Sequence, residues 1–208
     1  MTGVSTGSFT ATNGTVASVT QVDPSHYTIV VNPAAGVASG NVALSLVAGG
    51  AIDTAGNAAV AANLASLDSQ GIDTLAPTGG TPALTTASDS GTSHTDNITD
   101  VTNPTFTVAL NPTVAVGDTV QLLLGGSALA HPVSHTITST DITNNSVSLT
   151  VTAGDLGSDG SKSITAQFTD AAGNTSTTAA DVITLDTTAP TVVAVTDNVA
   201  PPPQRQAR

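Results

Sequence analysis

The sequence predicts an all-β fold built from tandem β-sandwich units, and three observations carry this prediction. All fifteen acidic residues are aspartate, which favours turns, whereas glutamate favours helices. Hydrophobic residues make up 39% of the chain, and they alternate with period two, as half-buried strands require. A linker sequence that occurs twice, at residues 73–78 and 186–191, divides the chain into units.

Each linker reads Asp-Thr-x-Ala-Pro-Thr, and the two copies stand 113 positions apart (186 − 73). An Asp-x-Ala-Gly-Asn sequence precedes each copy, at residues 53–57 and 170–174. Repeats in a fixed order indicate an array of similar modules. Because proline fixes its own φ and keeps the preceding residue extended, each linker is predicted to be a stiff junction. The predicted units are a first module at 1–76, a second at 77–190, and the start of a third at 191–208.

The charge balance excludes several classes of partner. Lys162 is the only basic residue among residues 1–200, so this part of the chain carries 1 − 15 = −14 charges. Such a surface repels nucleic acid and anionic lipid, and it attracts cations. No stretch approaches the ~18 apolar residues of a membrane span, so membrane insertion is not expected. The chain has no cysteine, which removes disulfides and thiol chemistry.

The first module is predicted to hold four or five strands, which is few for a closed two-sheet core. The turn Asp23-Pro24-Ser25-His26 joins the first two of them. The expected strands are 15–22, 27–32, 42–47 and one through 64–67 toward Asp73.

The second module shows clean alternation and more strands. Val120, Leu122 and Leu124 share one face, and Gly125-Gly126 and Asn144-Asn145 are expected to be hairpin turns. Seven or eight short strands at this spacing favour an immunoglobulin-type sandwich. The expected strands are 83–87, 105–110, 119–124, 128–133, 135–138, 147–151, 163–169 and 181–185.

The turn and loop sequences resemble two classes of bacterial Ig-like repeat. The first class matches Asp23-Pro24-Ser25-His26-Tyr27-Thr28 followed by residues 53–57. The second matches Ser88-Asp89-Ser90-Gly91 and the segments that follow it, through residues 170–174. Both classes are similar to tandem repeats of large surface adhesins and biofilm-associated proteins of Gram-negative bacteria.

This resemblance implies tandem Ig-like β-sandwiches that act as extender (stalk) modules at the bacterial cell surface, with neighbouring modules of the same chain as partners. Members of the first class usually carry two further strands upstream, so we expect the first module to be N-terminally truncated. The tail at 201–208, which begins with three prolines, is expected to be disordered.

The topology of an Ig sandwich predicts two clusters of oxygen ligands. Asp118, Asp170 and Asn174 should meet the linker residue Asp73 at one pole, with no basic residue nearby. Clustered carboxylates of this kind take up protons or bind a cation, and hard oxygen ligands in loops suit Ca²⁺. The resemblance agrees, since such repeats are commonly stiffened by interdomain calcium. An equivalent half-site at the other pole would use four aspartates: Asp89, Asp96, Asp155 and Asp186. The alternative interpretation is that the Asp-x-Ala-Gly-Asn sequence is only a tight turn.

Other functions receive less support from the sequence. His131 and His135 have i, i+4 spacing, but Pro132 rules out the helix that a zinc-binding pair at this spacing would need, so exposed strand histidines are expected.

A ligand- or glycan-binding module of a secreted protein is the alternative function. Sugar-binding surfaces need exposed aromatic rings, and most of the few aromatic residues fall in strand patterns. The sequence has no Gly-x-Ser-x-Gly motif of the kind that holds a catalytic serine, so no enzymatic activity is predicted.

Overall fold

The computed structural model describes residues 1–64 and 70–193. These residues form sixteen strands, a short 3₁₀ helix at Thr6–Ser8 and one α-helix, α1, at Ser139–Asn144. The prediction of an all-β fold is confirmed. In chain order the strands are β1 Phe9–Thr12, β2 Gly14–Asp23, β3 His26–Pro33, β4 Gly40–Leu46, β5 Ala62–Asn63, β6 Gln70–Ile72, β7 Ala83–Leu84, β8 Ile98–Thr99, β9 Thr105–Ala109, β10 Thr119–Leu124, β11 Ser127–Ala128, β12 Ser134–Thr136, β13 Ser146–Thr150, β14 Gly160–Thr169, β15 Thr175–Thr177 and β16 Asp181–Leu185.

The first module contains two sheets. In one, β4 is the central strand and pairs antiparallel with β1, β5 and β6. The other is the hairpin of β2 and β3, which closes where Asp23 pairs with His26. Asp23 Oδ1 accepts hydrogen bonds from the backbone N–H groups of Ser25 and His26, so the predicted turn at this position is confirmed.

The second module contains a seven-stranded and a three-stranded sheet. The larger has the order β11-β10-β14-β16-β8, with β12 beside β10 and β15 beside β14. The smaller has the order β13-β9-β7. All pairs are antiparallel except β8 with β16.

Strand register shows that the two modules repeat one plan. In the first module Gly40 of β4 pairs with Ile72 of β6, directly before Asp73. In the second, Gly160 of β14 pairs with Leu185 of β16, directly before Asp186. Strand β3 leads into β4 as β13 leads into β14. In the described part of the chain β3 and β13 each have one strand partner, β9 for β13 and β2 for β3.

Among the described residues, the hydrophobic core lies in the second module. Alternating side chains of β9, β10, β13, β14 and β16 meet between its two sheets, and the rings of Phe106 and Phe168 are fully buried. Among the described residues of the first module, the only buried hydrophobic residue is Ala51. Since burial of apolar area supplies most folding free energy, the second module carries most of the stability.

The predicted strands were right where hydrophobic and polar residues alternate regularly. The prediction was wrong where a residue such as proline interrupts strand pairing. Strands 119–124 and 181–185 form as predicted, and Gly125-Gly126 makes the predicted hairpin turn with positive φ at both residues. The predicted strand 128–133 was wrong, because pairing stops after Ala128 and resumes at Ser134, beyond Pro132. Part of the predicted strand 64–67 and the whole tail at 201–208 lie outside the described residues.

The second wrong prediction is the turn at Asn144-Asn145, where α1 ends. Thr138 caps the N-terminus of α1 by accepting a hydrogen bond from the Asp141 N–H, and the Asp141 carboxylate accepts one from the Thr138 N–H in return. Asn145 ends the helix in the left-handed conformation, with φ of 53°. A reciprocal cap of this kind stabilises a helix of only six residues, which hydrophobic periodicity does not reveal.

Gly79 allows a close contact between the end of the first linker and the core. A Cβ atom added at Gly79 would lie 2.3 Å from the Phe168 ring and 2.7 Å from the Ala109 carbonyl oxygen. We therefore expect Gly79→Ala to lower the free energy of unfolding of the second module by about 1–3 kcal/mol, as overpacking does. Urea unfolding followed by circular dichroism measures this change.

The neighbouring variant Gly80→Ala is the control, because its added Cβ would lie 3.1 Å from the Ala109 Cβ and touch no ring. Equal losses of stability in the two variants would show that the Phe168 contact is not the cause.

Candidate functional site: the joint between the modules

The first module holds the linker through Thr74. The Thr74 hydroxyl donates a hydrogen bond of 2.7 Å to the Ala34 carbonyl and accepts one of 3.0 Å from the Val37 N–H. The Thr74 backbone continues the contact, because its N–H donates to the Val37 carbonyl at 2.7 Å. The Gly36 N–H also donates to the Thr74 carbonyl at 3.4 Å, so the loop between β3 and β4 holds this residue by four hydrogen bonds.

The second module holds the same linker from the other side. The Asn174 side-chain amide donates a hydrogen bond of 3.2 Å to the Asp73 carbonyl. The Ser176 hydroxyl donates to the Pro77 carbonyl, and the Pro77 side chain is fully buried. The linker between Asp73 and Pro77 is thus hydrogen-bonded by both of its neighbours, which makes the joint a packed part of the protein.

The second linker is held from one side among the described residues. The Asp159 carboxylate accepts hydrogen bonds of 2.9 and 2.7 Å from the N–H and hydroxyl of Thr187, and one of 2.6 Å from the Thr188 hydroxyl. These donors lower the pKa of Asp159, with the Thr188 hydroxyl as the main cause. The linker at 186–191 is exposed, whereas residues 72–77 are half-buried or buried.

The Asp-x-Ala-Gly-Asn sequence forms the same loop in both modules. Asp170 Oδ1 accepts a hydrogen bond from the Asn174 N–H, and Oδ2 accepts one from the Asn174 side-chain amide, both at 2.8 Å. Asp53 and Asn57 repeat both contacts, also at 2.8 Å. Partial burial of Asp170 acts to raise its pKa, but the Asn174 donors outweigh it and the pKa lies below the ordinary value.

The predicted calcium ligands at the joint lie at one end of the second module but face different partners. Asp118 precedes and Asp170 follows a pair of facing residues, Thr119 of β10 and Thr169 of β14. The Asp118 carboxylate is buried and accepts from the Ala115 N–H at 2.8 Å. Asp73 Oδ1 accepts from the Leu75 N–H at 3.2 Å. Asn174 turns its amide nitrogen to the linker, whereas a metal would need its oxygen.

The predicted residues of the other pole also have separate partners. Asp89 is buried, and its Oδ2 accepts from the Asn97 N–H while Oδ1 has no hydrogen-bond partner. Asp96 and Asp186 cap the backbone two residues ahead of each. Asp155 contacts His131. Within residues 1–64 and 70–193, no three carboxylate, histidine or cysteine side chains form a group that could hold a metal ion.

The two histidines of the predicted i, i+4 pair contact different carboxylates. His131 Nδ1 lies 2.9 Å from Asp155 Oδ1, and His135 Nε2 lies 2.8 Å from Asp141 Oδ2. His131 lies outside the strands, so the interpretation as a strand residue was wrong for it, and His135 lies in β12. In the loop at 155–159, Asp155 exposes 5% of its side chain, whereas Asp159 is exposed and accepts hydrogen bonds from the second linker.

Aromatic rings offer little surface for sugar stacking. Phe106 and Phe168 are fully buried in the core of the second module, and Phe9 and Tyr27 are half-buried in the first. An open cleft of about 560 Å³ lies at the joint, and its lining is mostly small or polar: Ser39, Gly40, Asn41, Gly71, Ile72, Asp73 and Ala172.

Two family profiles, each described as a bacterial Ig-like domain, match the chain, one over residues 76–187 and the other over residues 1–70. The first match alone covers more than half of the 208 residues. The chain belongs to the bacterial Ig-like domain family. The resemblance to bacterial Ig-like repeats is thereby confirmed. No curated protein matches the chain significantly.

These bacterial Ig-like modules belong to a structural family rather than to an enzyme family. Within the described residues, no helix has both the length and the apolar character needed to cross a bilayer.

Sequence reasoning missed the residues that hold the linker. The sequence marked Thr74 only as a position of the repeated linker, and it did not mark Asp159 as a partner of the second linker. Ser176 carries no local signal, because the strand pairing of β14 and β15 brings it to Pro77.

A substitution can separate the hydrogen bond that Asn174 makes to the linker from the hydrogen bonds that it makes within its own loop. Asn174→Asp removes the amide that donates to the Asp73 carbonyl and places a second carboxylate beside Asp170. We expect a loss of about 1–3 kcal/mol in the free energy of unfolding and a wider spread of particle dimensions in small-angle X-ray scattering.

Asn57→Asp is the matched control, because Asn57 makes the same loop contacts with Asp53 but has no hydrogen bond to the linker. Its scattering profile should stay that of the wild type. A profile that changes equally in both variants would contradict a specific joint contact for Asn174.

The cap of α1 predicts a pH dependence. The Thr138 hydroxyl, the His135 ring and the Thr138 N–H lower the pKa of Asp141 from 3.8 to about 2. A lowered folded-state pKa contributes stability above the unfolded value, and this contribution is lost as pH falls through the folded value. The stability difference between wild type and Asp141→Ala should therefore be constant above about pH 5 and shrink between about pH 4 and pH 2.

Urea unfolding at several pH values measures this difference, which should be about 1 kcal/mol at pH 7 for a lost cap. Asp100→Ala is the control, since Asp100 is exposed and its carboxylate accepts no hydrogen bond in the described part of the chain. A difference for Asp141→Ala that does not change with pH would refute the assignment to the carboxylate.

Proposed function

We propose that these Ig-like modules are a structural extender (stalk) of a bacterial cell-surface adhesin and support cell adhesion and biofilm formation by projecting a distal binding unit. The observation that carries this proposal is the linker held by hydrogen bonds from both modules. A stalk must resist bending at its joints, and a linker fixed on two sides resists bending without help from a ligand.

The path of the chain through the second module supports the same function. The first linker arrives at the end where Thr119 pairs with Thr169. The chain leaves from the opposite end, where Gly160 pairs with Leu185. Strand β14 joins these two ends, and its ten residues span about 30 Å at ~3.3 Å per residue. Entry and exit at opposite ends let each module add its length to a rod.

We also propose that Ca²⁺ strengthens the joint. Support comes from the charge of −14 over residues 1–200 and from the carboxylates of Asp118 and Asp170 at the joint end. Hydrogen bonds within the protein already engage these carboxylates. The ion would therefore add stability to a joint that the protein's own contacts already fix. Affinities of ~10⁻⁴–10⁻³ M are typical for extracellular calcium modules.

Spin-label distances between the modules test this function. The chain has no cysteine, so Thr28→Cys with Ser148→Cys, at two exposed positions of β3 and β13, gives one unique label pair. We expect a narrow distance distribution in EDTA, because the hydrogen bonds hold the joint. Millimolar Ca²⁺ should narrow it further and raise the melting temperature.

The outcomes separate the two parts of the proposal. A broad distribution in EDTA and in Ca²⁺ would contradict the stiff extender. A narrow distribution and a melting temperature that do not respond to Ca²⁺ would refute the calcium part and leave the hydrogen-bonded joint intact. Magnesium at the same ionic strength is the control for charge screening.

A further inference from the structure

An early strand and the last strand of the second module lie side by side and run in the same direction. Strands β8 and β16 are the only parallel pair among the described strands. The Thr184 N–H donates a hydrogen bond of 2.8 Å to the Asn97 carbonyl, and the Asp186 N–H donates one of 2.9 Å to the Thr99 carbonyl. Both strands run toward the end of the module where the chain leaves, because β16 is antiparallel to β14 and ends beside Gly160.

Tension along the module would load this pair of strands in shear. The chain before β8 leads back to the joint, so tension pulls β8 toward the joint. The second linker follows β16 directly, so tension pulls β16 the opposite way. Hydrogen bonds between neighbouring strands run across the strand direction, and strands that slide past each other along their own axes load all of these bonds together. The bonds must therefore break together.

The Asp181 carboxylate ties the same pair to the rest of the early chain. Asp181 is the first residue of β16, and its Oδ1 accepts a hydrogen bond of 2.9 Å from the Asn97 side-chain amide. Its Oδ2 accepts one of 3.2 Å from the Leu84 N–H of β7. Hydrogen bonds to an ionised group are roughly twice as strong as neutral ones. One carboxylate thus joins β7, the residue before β8, and β16.

Buried polar side chains keep the loop between β7 and β8 folded. Ser88, Asp89 and Thr99 are buried. The Thr99 hydroxyl donates a hydrogen bond of 2.5 Å to the Ser88 carbonyl, and Asp89 Oδ2 accepts one of 3.2 Å from the Asn97 N–H. Fully extended, this loop would span about 40 Å. Because these hydrogen bonds hold it in place, tension reaches β8 without the loop lengthening first.

From these contacts we infer that β8, β16 and the Asp181 carboxylate form a force-bearing clamp that sets how fast the second module unfolds under tension. The inference rests on the proposed extender function for the source of the tension. Its mechanical basis is the parallel direction of β8 and β16. The resistance of the clamp depends on the direction of pulling, because strands that are pulled apart from one end release their hydrogen bonds one at a time.

Single-molecule pulling at constant force in two directions tests the clamp. The chain has no cysteine, and Thr81, Asp100 and Val192 are exposed, so cysteine pairs at these positions can hold the handles. Thr81→Cys with Val192→Cys pulls along the module and shears β8 against β16. Asp100→Cys with Val192→Cys pulls the two strands apart from the end that they share. At equal force we expect unfolding to be about tenfold or more faster in the second direction.

Asp181→Asn, in the chain pulled at Thr81 and Val192, tests the carboxylate. The amide has one acceptor oxygen and no charge, so it cannot keep both hydrogen bonds as the carboxylate makes them, and the module should unfold about tenfold faster at equal force. Asp141→Asn is the matched control, because the Asp141 carboxylate also accepts from a backbone N–H and a side chain but lies outside the clamp. It should unfold at the wild-type rate. Circular dichroism checks that each variant is folded, and the comparison of two directions does not depend on either variant.

Three results would each overturn the clamp: equal unfolding rates in the two directions, a wild-type rate for Asp181→Asn, or the same acceleration in Asp141→Asn. Failure of the clamp and failure of the extender are distinguishable. Equal rates in the two directions would leave the spin-label distances between the modules unchanged. A broad spin-label distribution would contradict the stiff extender and leave the directional difference within the second module intact.

Discussion

The structure depends on the linker from Asp73 to Pro77 being hydrogen-bonded from both sides. Thr74 contacts the loop after β3, and the carbonyls of Asp73 and Pro77 accept from Asn174 and Ser176. Buried backbone groups must find partners, and here the partners come from two different modules. The hydrogen bonds that satisfy the linker backbone therefore also fix the angle between the modules.

Stability and connection are divided unequally between the modules. The core of Phe106, Phe168 and their aliphatic neighbours lies wholly in the second module, which makes that module the rigid element of the pair. The first module has little buried apolar area among its described residues. Its contacts with the linker and with neighbouring strands therefore matter more to it than its own interior does.

The sequence predicted the class of fold and the regular strands because period-two alternation reports burial directly, as in β10 and β16. It could not predict α1, which depends on the reciprocal cap of Thr138 and Asp141, nor the short parallel pairing of β8. At the joint, the repeated loop was recognised, but the direction of the Asn174 amide was not. That direction is decided by the Asp170 carboxylate and by a carbonyl 101 residues away, which no local pattern contains.

Hydrogen exchange at Thr74 tests the central claim most directly. Its N–H donates to the Val37 carbonyl, so in EDTA its exchange should be as slow as that of the paired amides of β4. Slow exchange of the Thr74 amide is expected for the wild type. Its exchange should become faster in Asn174→Asp if the contacts from the two modules hold the linker together. Exchange of the Thr74 amide at the rate of an exposed loop, in otherwise folded wild-type protein, would contradict a joint held by the protein's own hydrogen bonds.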